Sequence, residues 1–270
     1  LQPTTRPRVK ICCIKSTEEA WLAIKAGASA LGLVSEMPSG PGVISEKKIA
    51  EIARRVPPGV ATFLLTRNQD ADSIIQQHAR CGTTTIQLVD KVVHGTYEKL
   101  RRALPGIGIV QVIHVTGPAS VRRALAVSAQ VDAILLDSGN PNLAVKELGG
   151  TGRTHDWHLS REIRERISCP LYLAGGLRPE NVAAAIGAVR PFGLDLCSGV
   201  RSDGKLDKNK VNLFFARIAQ ATATEEGAQE SLKPAKPRIK CGIQQPEPKR
   251  LSTLSCKGLP KNCKPLQLRD

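Results

Sequence analysis

Short apolar runs and amphipathic stretches alternate eight times between about residues 8 and 221, and no other regularity in the chain restricts its fold as tightly. The apolar runs fall at 9–14, 30–35, 60–65, 85–89, 108–114, 133–136, 171–174 and 194–197. They are short and rich in β-branched residues and leucine, as strands are. The stretches between them carry helix punctuation. Ser16 or Thr17 caps the first, Glu18 and Glu19 favour its positive end, and Gly27 stops it. The same grammar recurs at 45–55, 70–80, 96–104 and 118–127. Strands this apolar, each followed by a helix, belong to a parallel sheet covered on both faces. An open doubly wound sheet would have fewer strands and a nucleotide loop after the first, which this chain lacks. The count therefore predicts an α/β fold of the closed type, an eight-stranded parallel (β/α)8 TIM barrel over residues 8–221.

Residues 1–7, basic and proline-containing, read as a flexible N-terminus. From Thr222 onward the alternation dissolves and six of the 18 prolines appear, so residues 222–270 read as a disordered, basic, Pro-rich tail. The net charge of +15 raises the question of nucleic acid. Two features argue against a specific nucleic-acid partner: the charge is spread along the chain, and only 3% of residues are aromatic, which leaves few platforms for bases. No run approaches the roughly 18 apolar residues of a membrane helix, so no membrane partner is expected. Cys12, Cys13, Cys81, Cys169 and Cys197 lie in or beside apolar segments at no metal-ligand spacing, and Cys241, Cys256 and Cys263 are irregularly spaced. Reduced thiols in a cytoplasmic protein fit this usage.

In such a barrel the chemistry sits just past the strand C-termini. Two strand ends, LAGGLRPENV and DLCSGV, run from apolar residues straight into glycine, which bares backbone N–H groups to an incoming anion. Gly175, Gly176, Ser198 and Gly199 are the candidate phosphate contacts, so the expected ligand is a small phosphorylated substrate. Cys12 ends the first strand and Asp137 the sixth, and both side chains reach the same mouth. A thiolate can take a proton from carbon, and a carboxylic acid can protonate a leaving oxygen. The segment from Ser138 to Trp157 interrupts an otherwise terse chain and reads as a loop that closes over substrate. Gly149, Gly150, Thr151, Gly152 and Arg153 form its centre; Lys146 and Arg153 are candidates to meet anionic groups, and His155 is a possible acid or base.

The order of these segments resembles the phosphoribosylanthranilate isomerase family of tryptophan biosynthesis. VKICCI, IQL at 86–88, LLD at 135–137, GGTGRTHDW at 149–157, LAGGLRPENV and DLCSGV carry the resemblance, which runs through most of residues 8–221. It implies an Amadori rearrangement of N-(5-phosphoribosyl)anthranilate without cofactor or metal. It also implies Cys12 as general base, Asp137 as general acid, Gly175, Gly176, Ser198 and Gly199 around the phosphate, and residues 150–152 in the closing loop.

The chain departs from the family pattern in three places. Cys13 stands where the family usually has glycine. The loop after the second strand reads SEMPSGPGVIS, with no arginine to seat the anthranilate carboxylate. QLVD replaces the common QLHG, which puts Asp90 where it could repel an anion. Two alternatives accompany these departures: a related isomerase or lyase acting on another phosphorylated sugar, and a noncatalytic barrel that binds phosphate ligands. The sequence specifies no oligomeric state.

Overall fold

The computed structural model describes residues 6–231. Eight parallel strands close into one barrel: β1 (Arg8–Ile11), β2 (Ala30–Val34), β3 (Ala61–Thr66), β4 (Thr85–Leu88), β5 (Gly108–His114), β6 (Ala133–Asp137), β7 (Leu171–Leu173) and β8 (Gly193–Leu196). Each is followed by a helix: α1 (Thr17–Ala26), α2 (Glu46–Ala53), α3 (Ala71–Cys81), α4 (Thr96–Ala103), α5 (Ala119–Ser128), α6 (Trp157–Arg166), α7 (Val182–Val189) and α8 (Lys208–Ser231). The helices start where side chains can receive their free N–H groups. Ser16, Ser45 and Asp70 accept from Glu19, Lys48 and Ser73 at the heads of α1, α2 and α3. Gly27 and Gly82 end α1 and α3 in the left-handed conformation.

Closure is set by register. On one side of the seam Lys10 stands beside Asp195 and Ile11 beside Leu196; across the barrel His114 stands beside Asp137. Period-two alternation divides the strand residues into two cores. In β5 and β6, Val110, Val112, Ala133 and Leu135 fill the barrel interior, while Ile109, Ile113, Ile134 and Leu136 pack against the helices. Glycine makes room inside. A Cβ on Gly32 would lie 2.7 Å from the Cys12 sulfur and 3.0 Å from Lys10 Nζ, and one on Gly193 would lie 2.4 Å from the Tyr172 ring.

The observed boundaries differ from the expected ones at two places that matter. β1 stops at Ile11 rather than running on to Ile14, because Cys13 adopts φ +62° and cannot continue an extended strand. Helix α8 runs to Ser231, ten residues past the expected end of the barrel. Residues 222–231 are mostly Ala, Glu, Gln and Thr with one glycine, Gly227, and the next proline is Pro234, so no strong helix breaker intervenes. The rest of the expected tail, with its three cysteines, lies outside the described residues, as do residues 1–5 of the N-terminal segment; Pro7 is buried at the foot of β1. No helix among the described residues is long and apolar enough to cross a membrane. Between β8 and α8 the chain makes a small hairpin, β9 (Arg201–Ser202) with β10 (Lys205–Leu206), around Asp203 and Gly204, both at positive φ.

Candidate active site

A cleft of about 710 Å³ opens at the C-terminal ends of the strands. Cys12, Asp137, Gly149, Gly150, Thr151, Gly152, Gly175, Gly176 and Ser198 all line it. Residues from the ends of β1, β6, β7 and β8 thus meet at one mouth, which is the location a closed parallel barrel gives to ligand chemistry. Gly199 and Arg153 are absent from the lining. A Cβ on Gly199 would lie 2.0 Å from the Leu177 carbonyl oxygen, so packing between neighbouring loops demands glycine there. Arg153 turns its guanidinium to Glu147 on the outer side of the loop.

Cys12 and Asp137 are both buried. Beneath Cys12 the ammonium of Lys10, fully enclosed, donates to Asp195 Oδ1 at 2.9 Å and lies 5.3 Å from the Phe63 ring centre. Burial works against that charge, but the Asp195 carboxylate beside it overrides burial and holds the lysine above its usual range. At the opposite wall, Asp137 Oδ1 accepts from the Ser138 backbone N–H at 2.7 Å. Its other oxygen faces the loop: a Cβ on Gly149 would lie 2.8 Å away. Burial raises the Asp137 pKa above the ordinary carboxyl range, while nearby His114 pulls the other way. The carboxyl is therefore biased toward the protonated form that a general acid needs.

That bias has a stability signature. When a carboxyl pKa is higher in the folded state, there is no effect at pH values where both states are protonated. As pH rises through the unfolded and then the folded value, the unfolded chain ionises first and folding is disfavoured. Asp137→Asn, which keeps the acceptor for Ser138, is expected to stabilise the fold by roughly 0.5–2 kcal/mol at neutral pH. The gain should vanish near pH 3, and denaturant melts at the two pH values test it.

The candidate phosphate cup is built from turns. Gly175 and Gly176 lie at φ +83° and +59°, where a side chain would be strained, and a Cβ on Gly176 would lie 2.7 Å from the Arg153 carbonyl carbon. Asn181 fixes this turn by donating to the Gly176 carbonyl at 3.0 Å and accepting from Arg178 N at 2.9 Å. On the other side, Ser198 opens a single turn of 3-10 helix, Ser198–Val200, whose free N–H groups suit an anion. The loop over the cup is tied down by a 2.7 Å hydrogen bond between the Ser138 and Thr151 hydroxyls. His155 packs beneath it, with Nε2 on Ser160 Oγ at 2.8 Å, and burial lowers its pKa to about 4. It does not line the cleft.

The departures from the family pattern fit one another. Cys13 takes the left-handed conformation that glycine adopts without strain, and Gly42 of SGPG accommodates its side chain: a Cβ on Gly42 would lie 2.4 Å from that of Cys13. Pro41 of the same loop packs on Gly150, and Ser39 Oγ donates to the Lys146 carbonyl at 2.8 Å, so the loops after β2 and β6 brace each other. Asp90 is paired with Lys146 and accepts from Gln69 at 3.0 Å, so its charge is met within the protein rather than presented to an anion. Lys146 and Arg153, which the sequence alone offers as partners for anionic groups, are paired with Asp90 and Glu147 and do not line the cleft. Sequence reading also missed Gln87, a buried inward residue of β4 that lines the cleft with its Oε1 unpartnered. The signal was its place in IQL: the period of two turns it inward between Ile86 and Leu88.

The profile of the N-(5'phosphoribosyl)anthranilate (PRA) isomerase family matches residues 9–217. Among curated proteins, N-(5'-phosphoribosyl)anthranilate isomerase 2 of Methanosarcina mazei is 38% identical over 212 residues, covering 78% of this chain and 93% of that protein. The isomerase of Thermosynechococcus vestitus is 36% identical over 214 residues, covering 79% and 90%. Among solved structures, phosphoribosyl anthranilate isomerase from Thermotoga maritima superimposes with a TM-score of 0.66 at 32% identity, covering 79% of this chain and 99% of that one. A further isomerase structure, in complex with reduced 1-(o-carboxyphenylamino)-1-deoxyribulose 5-phosphate, gives a TM-score of 0.64 at 30% identity over the same shares. The match spans the barrel from its first strand into its last helix, and the chain belongs to the N-(5'-phosphoribosyl)anthranilate isomerase family.

Proposed function

We propose that the chain converts N-(5'-phosphoribosyl)anthranilate to 1-(2-carboxyphenylamino)-1-deoxyribulose 5-phosphate, the isomerase step of tryptophan biosynthesis. The observation that carries this reading is the meeting of a thiol, a buried carboxyl and a glycine-lined cup in one cleft. The cup would seat the 5-phosphate on the N–H groups around Gly175, Gly176 and Ser198, with Gly199 continuing the turn. Asp137 would donate its proton to the ribose ring oxygen as the C1–O bond breaks and the anilino nitrogen lone pair forms the C1=N bond. Cys12 would then take the proton from C2, returning the electron pair to nitrogen and leaving an enol that becomes the C2 ketone. Gly149 to Gly152 would cover the opened chain, excluding water that would otherwise hydrolyse the imine. The binding of a reduced product analogue by a relative of the same fold supports the substrate class.

Among the described residues that line the cleft there is no lysine or arginine. Both anionic ends of the substrate would therefore be held by backbone and neutral side-chain donors. The test is turnover of freshly prepared N-(5'-phosphoribosyl)anthranilate, followed by loss of its fluorescence against the spontaneous breakdown rate. Enzyme-dependent loss, with formation of the deoxyribulose product, is expected. No loss above the blank would overturn the reading and favour an isomerase of another phosphorylated sugar.

A further inference from the structure

Three thiols meet at the rim of the cleft, and the proposed reaction uses one. Because Ile11 pairs with Leu196, the next residues, Cys12 and Cys197, leave the seam of the barrel side by side; Cys12 N donates to the Leu196 carbonyl at 2.8 Å. Cys13, turned back by its positive φ, brings its sulfur to the same place, and the three residues all line the cleft. All are free thiols. They differ in environment. Cys13 is buried, donates to the Pro41 carbonyl at 3.6 Å and has Cys12 and Cys197 as neighbouring thiols in the same cleft wall. Cys197 is half-buried, faces the ligand space and has the Arg201 guanidinium near it. The neighbouring Cys13 thiol and Arg201 lower the Cys197 pKa, whereas the neighbouring thiols and burial raise that of Cys13.

We propose that Cys13 and Cys197 form a peroxide-responsive thiol pair, oxidised to a reversible disulfide that disables the cleft. A partly exposed thiol beside a guanidinium and a second thiol is the arrangement that redox-sensing cysteines share. The Cys197 sulfur attacks one oxygen of hydrogen peroxide; the O–O bond breaks, hydroxide leaves and takes a proton to become water, and Cys197 becomes a sulfenic acid. The Cys13 sulfur then attacks the Cys197 sulfur. The S–O bond breaks, and its hydroxyl leaves as water with the proton from Cys13. Two thiols and one peroxide thus give one disulfide and two waters.

The new bond would join the residue after Cys12 to the residue before Ser198. It would shift both the base and one wall of the phosphate cup, and a displacement of about 1 Å is enough to cost roughly 10²-fold in rate. The activity consequence rests on the isomerase reading; the cross-link does not. The pair depends on the replacement of glycine by Cys13 and on the space that Gly42 leaves for it.

The experiment treats the reduced full-length chain with hydrogen peroxide, then splits it for two measurements. Digestion with trypsin and chymotrypsin without reductant, which separates Cys169 from Cys197, is expected to give a peptide joining residues 11–15 to the Cys197 segment, lighter by two hydrogens. Turnover should fall about 10²-fold and return with dithiothreitol. Cys13→Gly suits the left-handed backbone at that position, so it threatens folding least; together with Cys197→Ser it should abolish the cross-link. Each variant's residual turnover is compared with its own untreated value. A cross-link that persists in Cys13→Gly, one that involves Cys12, or added oxygen on Cys12 with no cross-link would overturn the proposal. A cross-link in a protein that never turned over the substrate would leave the thiol pair standing and remove the isomerase reading.

Discussion

Cys12→Ala and Asp137→Asn are each expected to lower kcat by about 10²–10⁴-fold, the range for losing a positioned base or acid. KM should change far less, because in the proposed complex the phosphate would rest on backbone around Gly175, Gly176 and Ser198, which neither substitution touches. The two losses should not multiply in the double variant, since each group serves a rearrangement that stalls without the other. The pH profile separates the roles. Burial raises the Asp137 pKa, so turnover in the wild type should fall as pH rises and that carboxyl ionises. Asp137→Asn should lose this alkaline limb. Cys12→Ala should keep whatever residual limb Asp137 imposes. Steady-state rates across pH for the three proteins provide the check; near-wild-type turnover in either single variant would remove that residue from the mechanism.

Lys10→Met is expected to destabilise the fold by about 3–5 kcal/mol, the usual cost of stranding one partner of a buried ion pair. At the typical dependence for a domain of this size, that is a fall in Tm of roughly 10 °C. The reason lies in the barrel interior. Lys10 is 0% exposed, and its ammonium reaches Asp195 at 2.9 Å in a space enclosed by Phe63, Gly32 and Cys12. Without the ammonium, Asp195, buried at the base of the cleft, is left with its charge uncompensated. The double substitution Lys10→Met with Asp195→Leu removes both charges and should recover much of the lost stability. Thermal melts of the wild type, the single variant and the double variant test this. A single variant as stable as the wild type would mean that water or rearrangement reaches Asp195.

The two substitutions act on adjacent layers of the same interior. Cys12 follows Lys10 by two residues and so points the same way, one layer closer to the mouth. The buried pair thus sets the floor on which the proposed base stands, and Gly32 leaves room for both side chains. The stability and activity predictions are therefore separable by assay but share one structural origin.

Much of this molecule was written locally. Eight alternations of strand and helix can close in few ways, because every strand must bury both faces and every connection must cross to a parallel neighbour. The strand-end positions of Cys12 and Asp137 and the glycine turns at 175–176 followed from the same alternation, since a barrel gathers all its strand C-termini at one mouth. Charge pairing was not legible. Lys146 meets Asp90 across 56 residues, Arg153 turns to Glu147, and Lys10 meets Asp195 across 185. Where a long side chain points depends on which neighbour closure supplies, and no local pattern encodes that. The accommodation of Cys13 by Gly42 is of the same kind: each is unusual alone, and only the packing of the second loop on the first explains both. The alternation of the sequence by itself determined the barrel and the mouth at which its chemistry gathers. Tertiary structure alone decided which charges pair with one another and which thiols share the cleft, because those depend on neighbours that only barrel closure brings together.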